Sequence, residues 1–321
     1  MDEFELINKI KPTFYQQPSV MKGIGDDGAV IRPADGHELV VVSDTMVEDV
    51  HFSLDYMSFE DIGHRVLAAN ISDLVAMGST PLYFLVNIAV SGSIQNEQIY
   101  AIYNGMSSLA TTYRMDLIGG DTVSAKQLMI SITAFGSVLP WKKRLRSQAE
   151  PNDVVFVTGN LGEAGYGFYV LKENSVSVNS TYFANRHKRP IPRVDFISAS
   201  RHIRRLSLND LSDGLSSELN EIAEASNVNI EVDFSHIPIH EQMRYLGRDK
   251  LKKLTLSAGE DFELVGTCSP EEWKVLKSEC EKVNIPIKAI GHVTSKGEQA
   301  QVWLKEDNLS FPLKRNGYKH S

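Results

Sequence analysis

Cysteine is nearly absent from this 321-residue chain, which has only Cys268 and Cys280. Neither has partners at metal-ligand spacing, so a zinc ribbon or a disulfide framework is excluded; idle, buried thiols in a reducing cytoplasm are expected. Positive charge is also scarce: 33 Lys and Arg stand against 41 Asp and Glu, a formal net charge of −8. Nucleic-acid binding needs clustered basic residues to meet phosphates, so nucleic acid is not expected as a partner. No apolar run approaches the roughly 20 residues that span a bilayer, so no membrane segment is expected. The acidic, mixed start MDEFELINKI is no secretory signal. There is no fixed-period repeat, no low-complexity tract and no GxxxxGK[ST] phosphate loop. These absences leave a soluble, cytoplasmic protein.

What is present is an ordinary globular composition, 42% hydrophobic and 23% charged, in a chain long enough for two domains. Glu38 to Ser43 reads as a buried strand that ends in Asp44. Ser58 to Met77 reads as a helix, with Ser58 as N-cap, Asp61 three residues on and Gly78 as C-cap. Pro81–Val90 and Leu128–Val138 are strand-like, and Glu97–Tyr113 has helical spacing. Strands and helices mix without strict alternation, so the fold class is α+β, or mixed α/β. WKKRLRSQAEPND, Trp141 to Asp153, marks a domain junction, after which Val154–Thr158 is a strand entering the glycine-rich stretch Gly159, Gly162, Gly165, Gly167. Glu173 to Arg193 is polar and basic, and reads as a long surface connection.

Chemistry gathers on aspartates beside glycines. Gly23-Ile24-Gly25-Asp26-Asp27-Gly28 matches GxGxxG formally, yet no strand precedes it and its aspartates would repel a pyrophosphate. Carboxylates in a glycine loop suit a hard cation such as Mg²⁺ instead, against the simpler reading of an acidic turn. Ser43-Asp44-Thr45 closes an apolar strand, where a carboxylate needs a partner to offset desolvation. Asp73 is the lone charge in AANISDLVAM, near the C-terminal end of its helix, where the helix dipole disfavours an anion. Asn70, three residues earlier, shares its face. Gly119-Gly120-Asp121-Thr122 reads as a glycine turn with an acid, Asp210-Leu211-Ser212-Asp213-Gly214 as a helix start, and Gly259-Glu260-Asp261 as an acidic step before a strand. Each alone suits a turn or a cap. Their recurrence without a Walker lysine points to carboxylate-held Mg²⁺ and nucleotide phosphates.

GIGDDGAV, VSDTMVEDVHF, NISDLVAMGSTP, GGDT, RSQAEPND, VTGNLGEAGYG, DLSDGLSSEL, SAGEDFEL and the terminal GYKH, in this order, resemble the thiamine-monophosphate kinase family of the aminoimidazole-ribonucleotide synthetase (PurM-like) superfamily. The resemblance runs from Gly23 to His320. It implies a two-domain PurM-like fold, residues 1–146 binding ATP and Mg²⁺ and forming a barrel across a homodimer interface, residues 147–321 forming a second α/β domain. ATP would lie between domains and against the partner subunit. The resemblance assigns Mg²⁺ to Asp27, Val42 (through its carbonyl), Ser43, Asp44, Asp73, Asp121, Asp210 and Asp213. It gives ATP to Tyr103, Gly120, Asp121, Arg146 and Ser212, and substrate to His51, Glu260 and Tyr318. Some relatives carry Thr at Ser43, which keeps the hydroxyl. Asp44, Asp73, Asp121 and Asp210 would carry the chemistry of phosphorylating thiamine monophosphate with ATP, the last step to thiamine diphosphate. A ring-closing synthetase of the same superfamily, or a non-catalytic Mg²⁺-nucleotide module, is the rival reading.

Overall fold

The computed structural model describes residues 3–24, 28–173, 179–297, 300–307 and 309–317. The expected positions Asp27 and Tyr318 lie outside these. The chain forms two compact units, one of residues 1–74, 79–140 and 188–190, the other of 75–78, 141–187 and 191–321.

The first unit begins with α1 (Glu3–Ile10) and the short strands β1 (Val20–Lys22) and β2 (Val30–Ile31), an antiparallel pair. Next come β3 (Glu38–Val47), α2 (Phe59–Ala76), β4 (Thr80–Ser91), α3 (Asn96–Tyr113), β5 (Asp116–Ala125) and β6 (Met129–Val138). The sheet order is β3-β6-β4-β5, antiparallel except for β4–β5, which α3 connects as a crossover. Alternation along β6 gives the sheet two different faces: Ile130, Ile132 and Ala134 are fully buried, while Ser131, Thr133 and Phe135 are only half-buried. α2 starts as its sequence dictates, with Ser58 Oγ accepting the Asp61 amide at 3.1 Å. It stops at Gly78, whose φ of 71° is the left-handed conformation that glycine adopts without strain. α2 and α3 touch backbone to backbone: a Cβ on Gly63 would stand 1.9 Å from the Ile102 carbonyl oxygen, and one on Gly105 2.0 Å from that of Glu60.

The second unit holds β7 (Val154–Thr158), α4 (Glu163–Lys172), α5 (Ser180–Lys188), α6 (Asp195–Ala199), β8 (Ser207–Asp210), α7 (Leu215–Ser226) and β9 (Val228–Asp233). α8 (Arg248–Ser257), β10 (Leu264–Cys268), α9 (Pro270–Lys282), β11 (Ile287–Lys296), β12 (Val302–Glu306) and β13 (Leu309–Pro312) complete it. Its sheet runs β13-β12-β9-β11-β7-β10-β8, with only β12–β9 parallel. Every residue of β10 is buried, the signature of a strand covered on both faces. Val155, Val157, Leu219, Ile222, Ile230 and Val265 belong to one apolar core.

Three local expectations change. β3 does not end at Asp44 but continues to Val47, because Ser43 to Val47 keep pairing with β6. Gly119 to Thr122 is no turn: parallel pairing with β4 holds it inside β5. The Glu173–Arg193 connection contains α5, which buries Phe183 and His187. Both cysteines are buried, and burial pushes each thiol up to about 12. Neither should react with a thiol reagent at neutral pH until denaturant is added; rapid modification of either in the native protein would contradict this placement.

Candidate active site

In the first unit the candidate residues start from one row across the sheet. Asp44 pairs with Ile132, Ile132 with Val86 and Val86 with Gly120. Ile132 and Val86 are buried, so the Asp44 side chain lies on the covered face. There α2 meets it: Asn70 Oδ1 accepts the Asp44 amide at 3.2 Å while Asn70 Nδ2 donates to the Val66 carbonyl at 3.0 Å. One helical turn on, Asp73 hydrogen-bonds the Asp44 carboxyl. Burial raises the Asp44 pKa, and the bond from Asp73 and the charge of His51 offset this in part. His51 itself is folded back on the end of β3, its Nδ1 accepting the Val47 amide at 3.1 Å. The structure therefore brings Asp44, Asp73 and His51 together.

Ser43 and Asp121 are not in that group. Ser43 donates to the Ile132 carbonyl at 3.1 Å and stands 3.3 Å from Thr133 Oγ1, on the opposite face from Asp44. Asp121 falls in the row Thr45, Ser131, Asn87, Asp121. That row lies on the exposed face, and Asp121, at its far end, is three strand spacings or about 14 Å from β3. The Asp121 carboxylate is exposed and accepts the Thr122 amide at 2.8 Å. Gly120 has φ 151°, and a Cβ there would stand 1.9 Å from the Val86 carbonyl oxygen, so only glycine lets β5 approach β4 here. Tyr103 is buried, which raises its pKa, and it lines a cavity of about 340 Å³ with Lys9, Gln16, Tyr100, Asn104 and Asp116.

In the second unit β8 and β10 pair up to Asp210 opposite Leu264, and the pairing continues past both strands. The Leu211 amide donates to the Glu263 carbonyl at 2.8 Å, the Phe262 amide to Leu211 at 3.1 Å and the Glu260 amide to Ser212 at 2.8 Å. This ladder sets DLSDG beside GEDFE, two motifs far apart in the chain. The cap of α7 is Gly214, not Ser212 or Asp213. The Asp213 amide instead donates to Glu218 Oε1 at 2.6 Å. Burial pushes Glu218 up to about 9, with Asp210 and Asp213 adding to the rise. The C-terminal tail crosses here: a Cβ on Gly317 would stand 2.3 Å from Ser217 Oγ and 2.4 Å from the Asp213 carbonyl oxygen. Arg146 sits in a short 3-10 turn whose carbonyl accepts both Ser207 and Ser226 hydroxyls, and its Nε lies 3.3 Å from Glu221.

Sequence reasoning passed over Glu218, Asp261 and Glu263 as site residues. The second and third carboxylates of GEDFEL and the acid of SSEL are the available signals. Among the described residues, no three His, Cys, Asp or Glu side chains stand close enough to cage a metal. What exists are Asp44, Glu218 and Asp261, acids whose charge burial disfavours, all offering oxygen, the donor type of a hard cation.

The family model described as AIR synthase related protein, N-terminal domain, matches residues 25–138, and the corresponding C-terminal domain matches 150–303. The thiamine-monophosphate kinase of Bacillus subtilis (strain 168) is 49% identical over 325 residues, covering 100% of this chain and 99% of its own. That of Haemophilus influenzae is 32% identical, again over 100% and 99%. Among solved structures, the thiamine-monophosphate kinase from Stenotrophomonas maltophilia K279a has a TM-score of 0.86 at 31% identity, covering 96% of this chain and 98% of its own. AaThiL complexed with AMPPCP and TMP has a TM-score of 0.78 at 25% identity, over 99% and 97%. Matched from end to end by such relatives and sharing their two-domain, mixed α/β PurM-like fold, the chain belongs to the thiamine-monophosphate kinase family.

Proposed function

We propose that this chain is an ATP-dependent kinase that phosphorylates thiamine monophosphate to thiamine diphosphate, releasing ADP. The observation that carries the reading is the 49% identity, over the whole chain, to a thiamine-monophosphate kinase. The complex of AaThiL with AMPPCP and TMP supports ATP and thiamine monophosphate as the two substrates.

The acceptor is a phosphate monoester, whose second pKa near 6 leaves its oxygen largely anionic at neutral pH. No general base is required, and no nucleophile or triad is needed for direct in-line transfer. The obstacle is repulsion between two polyanions. Mg²⁺, when bound, would supply the positive charge that neutralises phosphate oxygens. Asp44 and Asp73 would hold it in the first unit, and Asp210 and Asp213 in the second. They fit because they are oxygen donors held by neighbouring backbone or side chains, with Asp44 disposed by burial to gain from a cation. Asp27, the Val42 carbonyl, Ser43 and Asp121 complete the proposed Mg²⁺ set. Tyr103, Gly120, Arg146 and Ser212 contact ATP; His51, Glu260 and Tyr318 contact thiamine monophosphate.

The chain acts as a cytoplasmic homodimer, with residues 1–146 and 147–321 as its two domains. The exposed sheet face of the first unit supports the dimer, since Leu39, Val41, Val123 and Met129 leave apolar surface uncovered there. A second sheet packed on it would close the barrel. No described helix is long and apolar enough to cross a membrane.

The test is to incubate the protein with γ-labelled ATP, Mg²⁺ and thiamine monophosphate. Label in thiamine diphosphate is the expected result. Label only in free phosphate would refute the kinase in favour of a synthetase-type relative, and no consumption of ATP would leave a binding module.

A further inference from the structure

The segment Gly259–Glu263 has an unusual backbone. Gly259, Glu260 and Phe262 have φ of 68°, 61° and 49°. Glycine adopts such angles readily, whereas a glutamate and above all a phenylalanine do so only where the surroundings impose them. The surroundings here include two carboxylates that follow Glu260 in sequence, Asp261 and Glu263, and are themselves immobilised.

Asp261 is buried, and both of its oxygens are taken: Oδ2 accepts the Gly162 amide at 2.6 Å and Oδ1 the Ala164 amide at 2.9 Å. It therefore sits on the first turn of α4, where amide donors and the helix dipole favour an anion. Burial still pushes Asp261 up to about 7 against those two amides, so the anchor is held against a desolvation penalty. Glu263 is fully buried as well. Its Oε2 accepts Thr158 Oγ1 at 2.7 Å and Arg193 Nε at 2.6 Å, and its Oε1 accepts Arg186 Nη2 at 2.9 Å and Arg193 Nη2. Burial alone would raise the Glu263 pKa, but Arg193, Arg186 and Thr158 outweigh it and hold it below the ordinary range. Phe262 lies between these anchors, its amide donating to the Leu211 carbonyl, and Glu260 lies just before them, fixed by its amide to Ser212 with its side chain about one-third exposed, 3.8 Å from His187.

We propose that Asp261 and Glu263 are positioning residues, clamping the left-handed turn so that Glu260 presents its carboxylate to the substrate. The proposal rests on the reading of Glu260 as a substrate contact. Its chemistry also selects which end of the substrate is read. A carboxylate repels a phosphate and attracts a cation, so Glu260 takes the positively charged heterocycle of thiamine monophosphate. The clamp is then a specificity device, acting on recognition of the ring and leaving phosphoryl transfer alone.

The experiment is a kinetic cycle of E260Q, D261N and the double variant, with KM for thiamine monophosphate, KM for ATP, kcat and Tm measured for each. E260Q and D261N should each raise KM for thiamine monophosphate about tenfold, with kcat and KM for ATP within about twofold of the parent. In the E260Q background, D261N should add nothing to that KM. A role in general stability would instead lower Tm and disturb all three constants in both backgrounds. Multiplying effects in the double variant, or an unchanged KM in D261N while E260Q raises it, would overturn the clamp alone. An unchanged KM in E260Q would overturn the reading of Glu260, and the clamp with it. If D261N does not fold, R193K decides: it loosens the grip on Glu263 from the outer side and should raise the same KM severalfold. No change in R193K would then overturn the clamp.

Discussion

Asp44→Asn and Asp73→Asn should each lower kcat by about 10³-fold or more, since charge neutralisation by a held cation is worth several kcal/mol in the transition state. Both amides are close in size to the acids they replace, so packing of α2 on β3 is retained. Stability should not fall with activity. Asp44 and Asp73 share one hydrogen bond, and burial has already raised the Asp44 pKa above its ordinary 3.8. Asp44 therefore keeps its proton to higher pH folded than unfolded. Its contribution to stability is full below about 3.8 and is lost as pH rises through the folded value. In Mg²⁺-free buffer, Asp44→Asn should abolish that loss and leave Tm at neutral pH equal to or above the parent's. This pattern, inactive and no less stable, marks a group placed for function at the expense of the fold. The checks are turnover of ATP with thiamine monophosphate and thermal melts with chelator at several pH values. An active Asp73→Asn protein with unchanged Mg²⁺ dependence would remove Asp73 from the site.

Gly63→Ala should destabilise the first unit strongly. On propensity alone alanine favours a helix interior by about 1 kcal/mol over glycine. The contact reverses the sign. A Cβ at this position would stand 1.9 Å from the Ile102 carbonyl oxygen, and backbone cannot swing aside as a side chain can. α2 must then part from α3 where they touch, and Ile62 and Ile102 at that touch are both fully buried. Overpacking of this kind costs about 3 kcal/mol. Gly105→Ala should behave alike, because its Cβ would meet the Glu60 carbonyl from the other helix. Urea unfolding curves would check this. A Gly63→Ala protein as stable as its parent would mean that the helices do not pack backbone to backbone.

Local structure with a local cause was legible in advance. The Ser58 cap, the Gly78 stop and the two buried cysteines follow from residue chemistry and from neighbours a few positions away. The same reasoning failed at Gly119–Thr122, where two glycines and an aspartate imply a turn. There, pairing with β4 supplies hydrogen bonds that outweigh local preference, and the strand continues. It failed again at Ser180–Lys188, where weak periodicity hid a helix that buries only Phe183 and His187.

The candidate site divides along the same line. From the sequence alone come the aspartates, the family they mark, and so the chemistry of phosphoryl transfer from ATP. Which of them meet was decided by tertiary structure. Asp44 and Asp73 join because a strand and a helix are packed by Asn70, while Ser43, next in the chain to Asp44, is turned to the other face by the alternation of the strand. DLSDG and GEDFE lie side by side because two β strands pair in one register. A residue's chemical type belongs to the sequence. Its neighbours across a sheet are set by register and face, which only the packing of the whole unit selects.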